Sequence, residues 1–361
     1  MVFDQEISGL FRTGYQFVGM ASELRNPRDY ICLDLPGLAL VVQNMSGTLK
    51  AFTNVCSHRW ARLLDQDRGN GPLACRYHGW SYNKDGCPTI PRRAAYGFDA
   101  VPSSLCLAQF AVEQCGDFVF VRLGDADLSL RDHLGRYYDV LEDMSGAIGE
   151  CIQYATVPHA ANWKILVENV LDNHHCAVLH RETFLAFGFC RLPLEDTTIE
   201  EHHSSFHVPR VELERENARR RAFSHLKDRA YAHDSFFHLL IYPNLFIASN
   251  EGLSFYVGQA VPVSSGETIL RVRYFEPAMN YKAGQRIRQD MLNEQVRANG
   301  MKVIEEDRPI LELVQKGAAS AKGPGVVADD EVRVHAFMRS YAATMAGREP
   351  VSRAPSPADA S

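Results

Sequence analysis

The stretch "CSHRWARLLDQDRGNGPLACRYHGW", residues 56–80, holds two cysteines and two histidines in the order C-x-H, then C-x-x-H. Thiol and imidazole groups at this spacing ask for a metal. Zinc accepts two cysteines and two histidines, but its usual knuckles pair Cys with Cys and His with His. Here each knuckle is mixed, Cys56 with His58 and Cys75 with His78. Mixing suits a [2Fe–2S] cluster with cysteines on one iron and histidines on the other, because each loop can then give one ligand to each iron. Neutral imidazoles leave such a cluster less negative, so it accepts an electron at roughly −150 to +300 mV, against roughly −400 mV for an all-cysteine plant-type cluster. Gly69, Gly71 and Gly79 fit loops whose N–H groups must come close to sulfur.

The whole chain sets bounds on that reading. Its 361 residues suggest two domains and a core large enough to need no staples. A hydrophobic content of 46% and a charged content of 23% fit a globular protein. The net charge of −6 gives no reason to expect a nucleic-acid partner. The start "MVFDQEISGLFRTG" has no basic region followed by an apolar run, so no signal peptide is expected. No run approaches ~18 apolar residues, so no membrane span is expected. The cysteine count of nine is odd, and a cytoplasmic location with reduced thiols is the expectation. The seven cysteines outside the quoted stretch read as small buried hydrophobes.

Residues 30–122 read as short strands. "LALVVQNMSGTLKAFTNVC" turns at Ser46-Gly47 and "FAVEQCGDFVFVRL" at Gly116-Asp117. Helical periodicity follows in "DLSLRDHLGRYYDVLEDM" and "NWKILVENVLDNHHCAVLH". Strands return after residue 235, with turns at Asn250-Glu251-Gly252 and Ser264-Ser265-Gly266, and a last helix spans about residues 285–316. Strands and helices that do not alternate regularly give an α+β class. The domains expected are 1–130, 131–345 and a disordered tail, 346–361, rich in Pro, Ser and Ala. The charged segment 212–229 reads as a solvated helix face.

A second constellation lies in "ENVLDNHHCAVLH", residues 168–180. On a helix Asn169, Asp172 and His175 fall three apart on one stripe. His175 and His180 are five apart, about 140° round a regular helix. Sharing a metal therefore requires the helix to end or bend, expected here between Cys176 and His180. Two histidines and a carboxylate with open positions form the facial triad of non-haem Fe(II) oxygen chemistry. The third ligand must be a distant carboxylate. The segment "VIEEDRPILELVQKG" offers several, with Asp307 expected at the cap of a helix that begins before Pro309. Glu305, Glu306 and Glu312 are its local competitors. His202, His203, His207 and His238 read as packing or solvent residues.

The pattern C-x-H-x16-C-x-x-H closed by "YHGW" resembles the Rieske signature. With the second constellation, the chain resembles the oxygenase (alpha) subunit of Rieske non-haem iron oxygenases over nearly its full length. The branch resembled includes ring-hydroxylating enzymes and the betaine and carnitine oxygenases. One departure is Trp60, where the family usually has Gly after C-x-H-R; this puts the packing of the first loop in question. The resemblance implies an all-β Rieske [2Fe–2S] domain plus a helix-grip catalytic domain. It implies that Cys56, His58, Cys75 and His78 hold the cluster, and that His175, His180 and Asp307 hold mononuclear Fe(II). Asp172 would bridge an iron ligand to a Rieske histidine of the neighbouring subunit, in a head-to-tail homotrimer. Asn169 would stand near the open side of the iron.

No Gly-rich nucleotide fingerprint follows a strand, so electrons are expected from a separate NAD(P)H-dependent reductase, with or without a ferredoxin. The expected activity is O2-dependent hydroxylation of a small organic molecule, an aromatic one first. Phe184, Phe187, Phe236, Phe246 and Tyr256 are candidates for the pocket. Oxidative demethylation or C–H hydroxylation of a quaternary ammonium compound or methyl ether is the alternative, since an aromatic set can also cage a cation. A Rieske electron carrier with no oxygenase activity is the reading from another class.

Overall fold

The computed structural model describes residues 2–124, 128–184, 196–207 and 235–347. The chain divides into two compact units, Met1–Ser145 and Gly146–Ser361.

In the first unit a short helix, α1 (Val2–Glu6), precedes the strands β1 (Gly14–Met20), β2 (Asp29–Leu35), β3 (Leu38–Met45), β4 (Thr48–Thr53) and β5 (Arg68–Asn70). A small ribbon follows, β6 (Ser81–Tyr82) with β7 (Pro88–Thr89), and then β8 (Gln109–Cys115) and β9 (Phe118–Leu123). Seven strands form one sheet in the order β1-β9-β8-β4-β3-β2-β5. The turn between β3 and β4 places Ser46 and Gly47 both in left-handed backbone, φ 58° and 97°. That twist matches the flanking strands, so the expected hairpin forms. The β8–β9 turn at Gly116 (φ 55°) also lies where expected. Two helices follow, α2 (Leu130–Leu134) and α3 (Tyr137–Ala147), separated where Gly135 adopts φ 52°, and the last two residues of α3 already belong to the second unit.

The core beneath β2–β4 contains Val41, Phe52, Leu63, Leu73, Trp80 and Tyr82, and both Cys56 and Cys75 are buried in it. Of the three glycines assigned to the cluster loops, only Gly79 lies in one. Gly69 sits in β5, where a Cβ would come within 2.9 Å of the Tyr30 hydroxyl, and Gly71 donates its N–H to Arg28. The expectation of reduced thiols is corrected at one pair, because Cys87 and Cys106 form a disulfide. The Leu107 N–H donates to the Gly86 carbonyl at 2.9 Å and lays the two segments side by side. Their separation of 19 residues carried no sequence signal.

The second unit is built on a seven-stranded antiparallel sheet in the order β10-β16-β15-β14-β13-β12-β11. Its strands are β10 (Ile148–His159), β11 (Thr198–Glu200), β12 (His203–His207), β13 (Phe236–Ile241), β14 (Leu245–Asn250), β15 (Phe255–Ser264) and β16 (Glu267–Pro277). Both expected turns in this half appear, at Glu251-Gly252 and Ser265-Gly266. One register row runs across five strands: Phe206, His238, Ala248, Tyr256 and Tyr274 face one another in turn. Residues in one row share a face of the sheet.

Helices α4 (Trp163–Leu171), α5 (Cys176–Leu179), α6 (Ala283–Ala318) and α7 (Val332–Met345) complete this unit. Two expectations are corrected here. The first helix ends at Asp172, not beyond Cys176. Asp172 has extended backbone, and its Oδ1 accepts the His174 N–H at 2.6 Å, which competes with helical continuation. Asn169 and His175 therefore share no helical stripe. The second correction concerns Asp307. It lies deep within α6, a 36-residue helix that carries Pro309 inside it. Proline in a helix interior costs about 3 kcal/mol. The helix is held by other ties: Asn293 donates to Glu276 at 2.6 Å, Arg286 to Glu276 at 2.8 Å, and the Asn162 N–H to Gln315 at 2.8 Å. Gly300 is required where α6 crosses β16, since a Cβ there would lie 2.4 Å from the Tyr274 hydroxyl. Among the described residues, no helix is long and apolar enough to cross a membrane. The charged segment 212–229, Phe187 and all but the first two residues of the expected tail lie outside the described residues.

Candidate functional site

The first unit builds its cluster site from two loops of the same form. In one, the Cys56 N–H donates to Ala61 at 2.8 Å and the Trp60 N–H returns to Cys56 at 2.9 Å. In the other, the Cys75 N–H donates to Trp80 at 2.7 Å and the Gly79 N–H returns to Cys75 at 3.0 Å. The His58 and His78 rings stand 4.5 Å apart, and Trp80 stacks on His58 at 4.9 Å. The Nδ1 atoms of both histidines are buried and have no hydrogen-bond partner among the described residues. Two orphaned imidazole nitrogens beside two buried thiols fit a mixed-ligand cluster. Tyr82 reinforces the site: its hydroxyl donates to Cys56 Sγ at 3.2 Å and accepts the Ser57 N–H at 2.9 Å. Burial, then the hydrogen bond to Cys56, pushes the Tyr82 phenol up to about 12, so it stays a donor at neutral pH.

The second unit brings His175, His180 and Asp307 together, with one ligand atom from each within 4.8 Å of the others. Asp307 Oδ1 lies 3.1 Å from His180 Nε2 and 3.8 Å from His175 Nε2. Asp307 Oδ1 and His180 Nε2 are both buried, yet neither has a well-formed hydrogen bond among the described residues. Two lone-pair atoms this close and unbonded have the arrangement of ligands around a cation. The short helix α5 makes the meeting possible, because His175 caps its start and His180 its end. The histidine rings stand 5.1 Å apart.

Each histidine is oriented from behind by its own carboxylate. Asp172 Oδ2 accepts from His175 Nδ1 at 3.0 Å, and Glu306 Oε2 accepts from His180 Nδ1 at 2.7 Å. Both bonds hold the proton on Nδ1 and leave Nε2 bare for a metal. Burial alone would raise the Asp172 carboxyl, but hydrogen bonds from His175 and the His174 amide outweigh it and lower its pKa below the ordinary value. Burial likewise opposes charge on His180, but Asp307 and Glu306 prevail and raise its pKa. The sequence treated Glu306 only as a competitor for the ligand role. Its part in orienting His180, shared with the Thr183 hydroxyl at 2.8 Å, depends on a fold that places residues 183 and 306 together.

The triad opens on a cavity of about 290 Å³. The register row Phe206, His238, Ala248, Tyr256, Tyr274 lines it, along with Phe184, Phe236, Asn169 and Asp172. Of the expected aromatic set, Phe184, Phe236 and Tyr256 are present, whereas Phe246 is fully buried and outside the lining. His238 was expected to be a packing residue and is instead part of the wall. The neighbouring His174 instead pairs through Nε2 with Asp330 at 3.1 Å.

Residues 14–109 match the Rieske [2Fe-2S] domain, and residues 131–347 match the ring hydroxylating alpha subunit (catalytic domain). The carnitine monooxygenase oxygenase subunit of Acinetobacter baumannii is 29% identical over 185 residues, 50% of this chain and 49% of that protein. The chain thus matches about half the length of that curated relative. The 2-aminobenzenesulfonate 2,3-dioxygenase subunit alpha of an Alcaligenes species is 26% identical over 298 residues, 75% of this chain and 71% of that one. A solved quaternary ammonium Rieske monooxygenase shares the fold with a TM-score of 0.76 at 19% identity, over 95% of this chain and 92% of that chain. These matches agree with a Rieske cluster domain followed by a mononuclear-iron catalytic domain. With its catalytic segment matched over residues 131–347, the chain belongs to the ring-hydroxylating alpha-subunit family.

Proposed function

We propose that this chain is a terminal oxygenase component that uses O2 and reductase-supplied electrons to hydroxylate a small aromatic substrate. The observation that carries the reading is the unbonded pair His180 Nε2 and Asp307 Oδ1, 3.1 Å apart, beside a ring-lined cavity. A bare electron carrier has no use for a convergent triad under such a cavity. His175, His180 and Asp307 would hold ferrous iron, which would supply O2 activation, and Cys56, His58, Cys75 and His78 would hold the cluster that would supply single electrons.

The chain's own groups prepare that chemistry. Asp172 and Glu306 fix the tautomers of His175 and His180. Phe184 packs 5.1 Å from His180, and Phe236 follows it at 6.4 Å, so a planar ring can lie against the wall beside the triad. The apolar lining excludes water from the reacting carbon. Asn169 supplies an amide at the open side. Among the described residues, the lining holds no lysine or arginine, and its only carboxylates are Asp172 and Asp307. That composition favours a neutral aromatic body.

Asp172 serves as the link to the cluster of a neighbouring subunit in a head-to-tail homotrimer, and its side chain is 23% exposed at the edge of the site. Inter-subunit electron transfer is named for the structurally similar quaternary ammonium monooxygenase. A separate reductase, with or without a ferredoxin, delivers the electrons. Oxidation of a quaternary ammonium compound is the second reading, favoured by the name of the carnitine relative and by the rings Phe184, Phe236 and Tyr256, which can cage a cation.

The test is oxygen uptake with a generic reductase and ¹⁸O2, across aromatic acids, aryl ethers and quaternary amines. Labelled hydroxylated arenes support the proposal. Label found only in products from quaternary amines overturns the aromatic reading in favour of the second.

A further inference from the structure

His238, in the middle of the register row, is held in one protonation state by its neighbours. Arg333 is buried in α7, with 1% exposure. Its Nη1 and Nη2 both donate to His238 Nδ1, each at 3.1 Å. A guanidinium has donors only, so Nδ1 must act as the acceptor and the ring proton must sit on Nε2. Arg333 is itself fixed: Nε donates to the Ser204 hydroxyl and Nη2 to the Ser204 carbonyl, both at 3.0 Å. Its guanidinium lies over the Phe206 ring at 4.9 Å. Phe206 stacks on His238 at 5.6 Å, so the imidazole plane is fixed as well. Burial, reinforced by the Arg333 charge, holds the His238 imidazolium well below its ordinary pKa, in agreement with a neutral ring.

Nε2–H makes no hydrogen bond to any described residue, and His238 lines the cavity. A donor of fixed direction on a buried residue that lines the cavity, with no partner among the described residues, calls for one from the ligand. The guanidinium behind the ring strengthens that donor and disfavours a cation in front of it. Ring contacts lead from His180 through Phe184, Phe236 and Phe206 to His238.

We propose that His238 is a substrate-positioning residue whose Nε2–H binds an acceptor oxygen on the aromatic substrate, so that the ring lies along Phe206, Phe236 and Phe184 with another edge toward the iron ligands. This rests on the reading of the cavity as an aromatic site. It narrows the substrate to arenes that carry a carbonyl, carboxylate or ether oxygen, and it disfavours quaternary ammonium compounds.

Acetophenone and α-methylstyrene, alike in shape but for the oxygen, test it by titration of the cluster-loaded protein. The expected result is that His238→Phe weakens acetophenone about tenfold, the value of one neutral hydrogen bond, and leaves α-methylstyrene within about twofold. His238→Gln, which can both accept from Arg333 and donate to the cavity, recovers most of the loss. Infrared spectra of carbonyl-labelled acetophenone give a readout that needs no variant: bound to the wild type, its stretch lies below the position in an apolar solvent. An unshifted stretch, or equal weakening of both probes by His238→Phe, overturns the assignment of His238 and leaves the aromatic site standing. If neither probe binds, the aromatic reading falls and this inference falls with it.

Discussion

Trp60 and Gly79 occupy equivalent places in the two cluster loops. Each has left-handed backbone, φ 60° and 74°, and each returns its N–H to the cysteine four residues earlier. The shape of the loop demands that conformation, which explains why glycine suits the position. Trp60 adopts it despite its Cβ and leaves its ring 81% exposed. The ligand geometry survives, and the departure from the family pattern costs local strain.

The first prediction follows. Left-handed backbone costs an L-residue about 1–2 kcal/mol, and glycine returns about 0.5–1 kcal/mol of that as extra entropy of the unfolded chain. Trp60→Gly should therefore stabilise the cluster domain by about 0.5–1 kcal/mol. The check is the thermal midpoint at which the cluster chromophore bleaches. A lower midpoint would show that the indole makes a favourable contact.

Tyr82 should tune the cluster. Its hydrogen bond to Cys56 Sγ withdraws charge from that ligand, which favours the reduced state. A bond worth about 1 kcal/mol amounts to about 45 mV for one electron. Tyr82→Phe should lower the potential by about that amount and keep the cluster. Because the phenol titrates only near 12, the offset between variant and wild type should stay constant from about pH 6 to pH 9. Voltammetry across that range decides, and an offset that vanishes at the alkaline end would contradict the assignment.

Glu306 should govern iron retention without being a ligand. Removing the carboxylate behind a metal-bound histidine weakens binding about 10–100-fold. Glu306→Ala should show that loss in a chelator titration while the cluster spectrum stays unchanged. Wild-type retention in the variant would mean that His180 is positioned by packing alone.

Asp172→Asn should keep both metals and nearly abolish product formation coupled to electron input. The asparagine can still hold His175 through its carbonyl oxygen, so iron content separates orientation from electron passage. Normal coupled turnover in the variant would remove Asp172 from the relay.

The residues that converge at the two candidate sites were legible in the sequence, because metal chemistry restricts residue type and spacing and because the segment around Asp307 resembles a family pattern. The hairpin turns were legible for a similar reason, since Ser46-Gly47 and Gly116-Asp117 carry the backbone preference itself. Helix limits were not. Asp172 ends α4 through hydrogen bonds to residues that follow it, and Pro309 stays inside α6 because contacts to Glu276 and Asn162 hold that helix from both ends. The Cys87–Cys106 pairing, the Glu306 contact to His180 and the cavity row all join residues far apart in sequence. The place of His238 in the cavity wall depends on strand register and on Arg333, 95 residues away.

The most direct test of the two-centre account is iron and acid-labile sulfide per chain, measured on anaerobically prepared wild type and on Asp307→Ala. The account predicts about three irons and two sulfides in the wild type, with a histidine-ligated cluster signal, and about two of each in the variant with that signal intact. Protein that takes up zinc and no sulfide, or a variant that keeps the third iron, would contradict it.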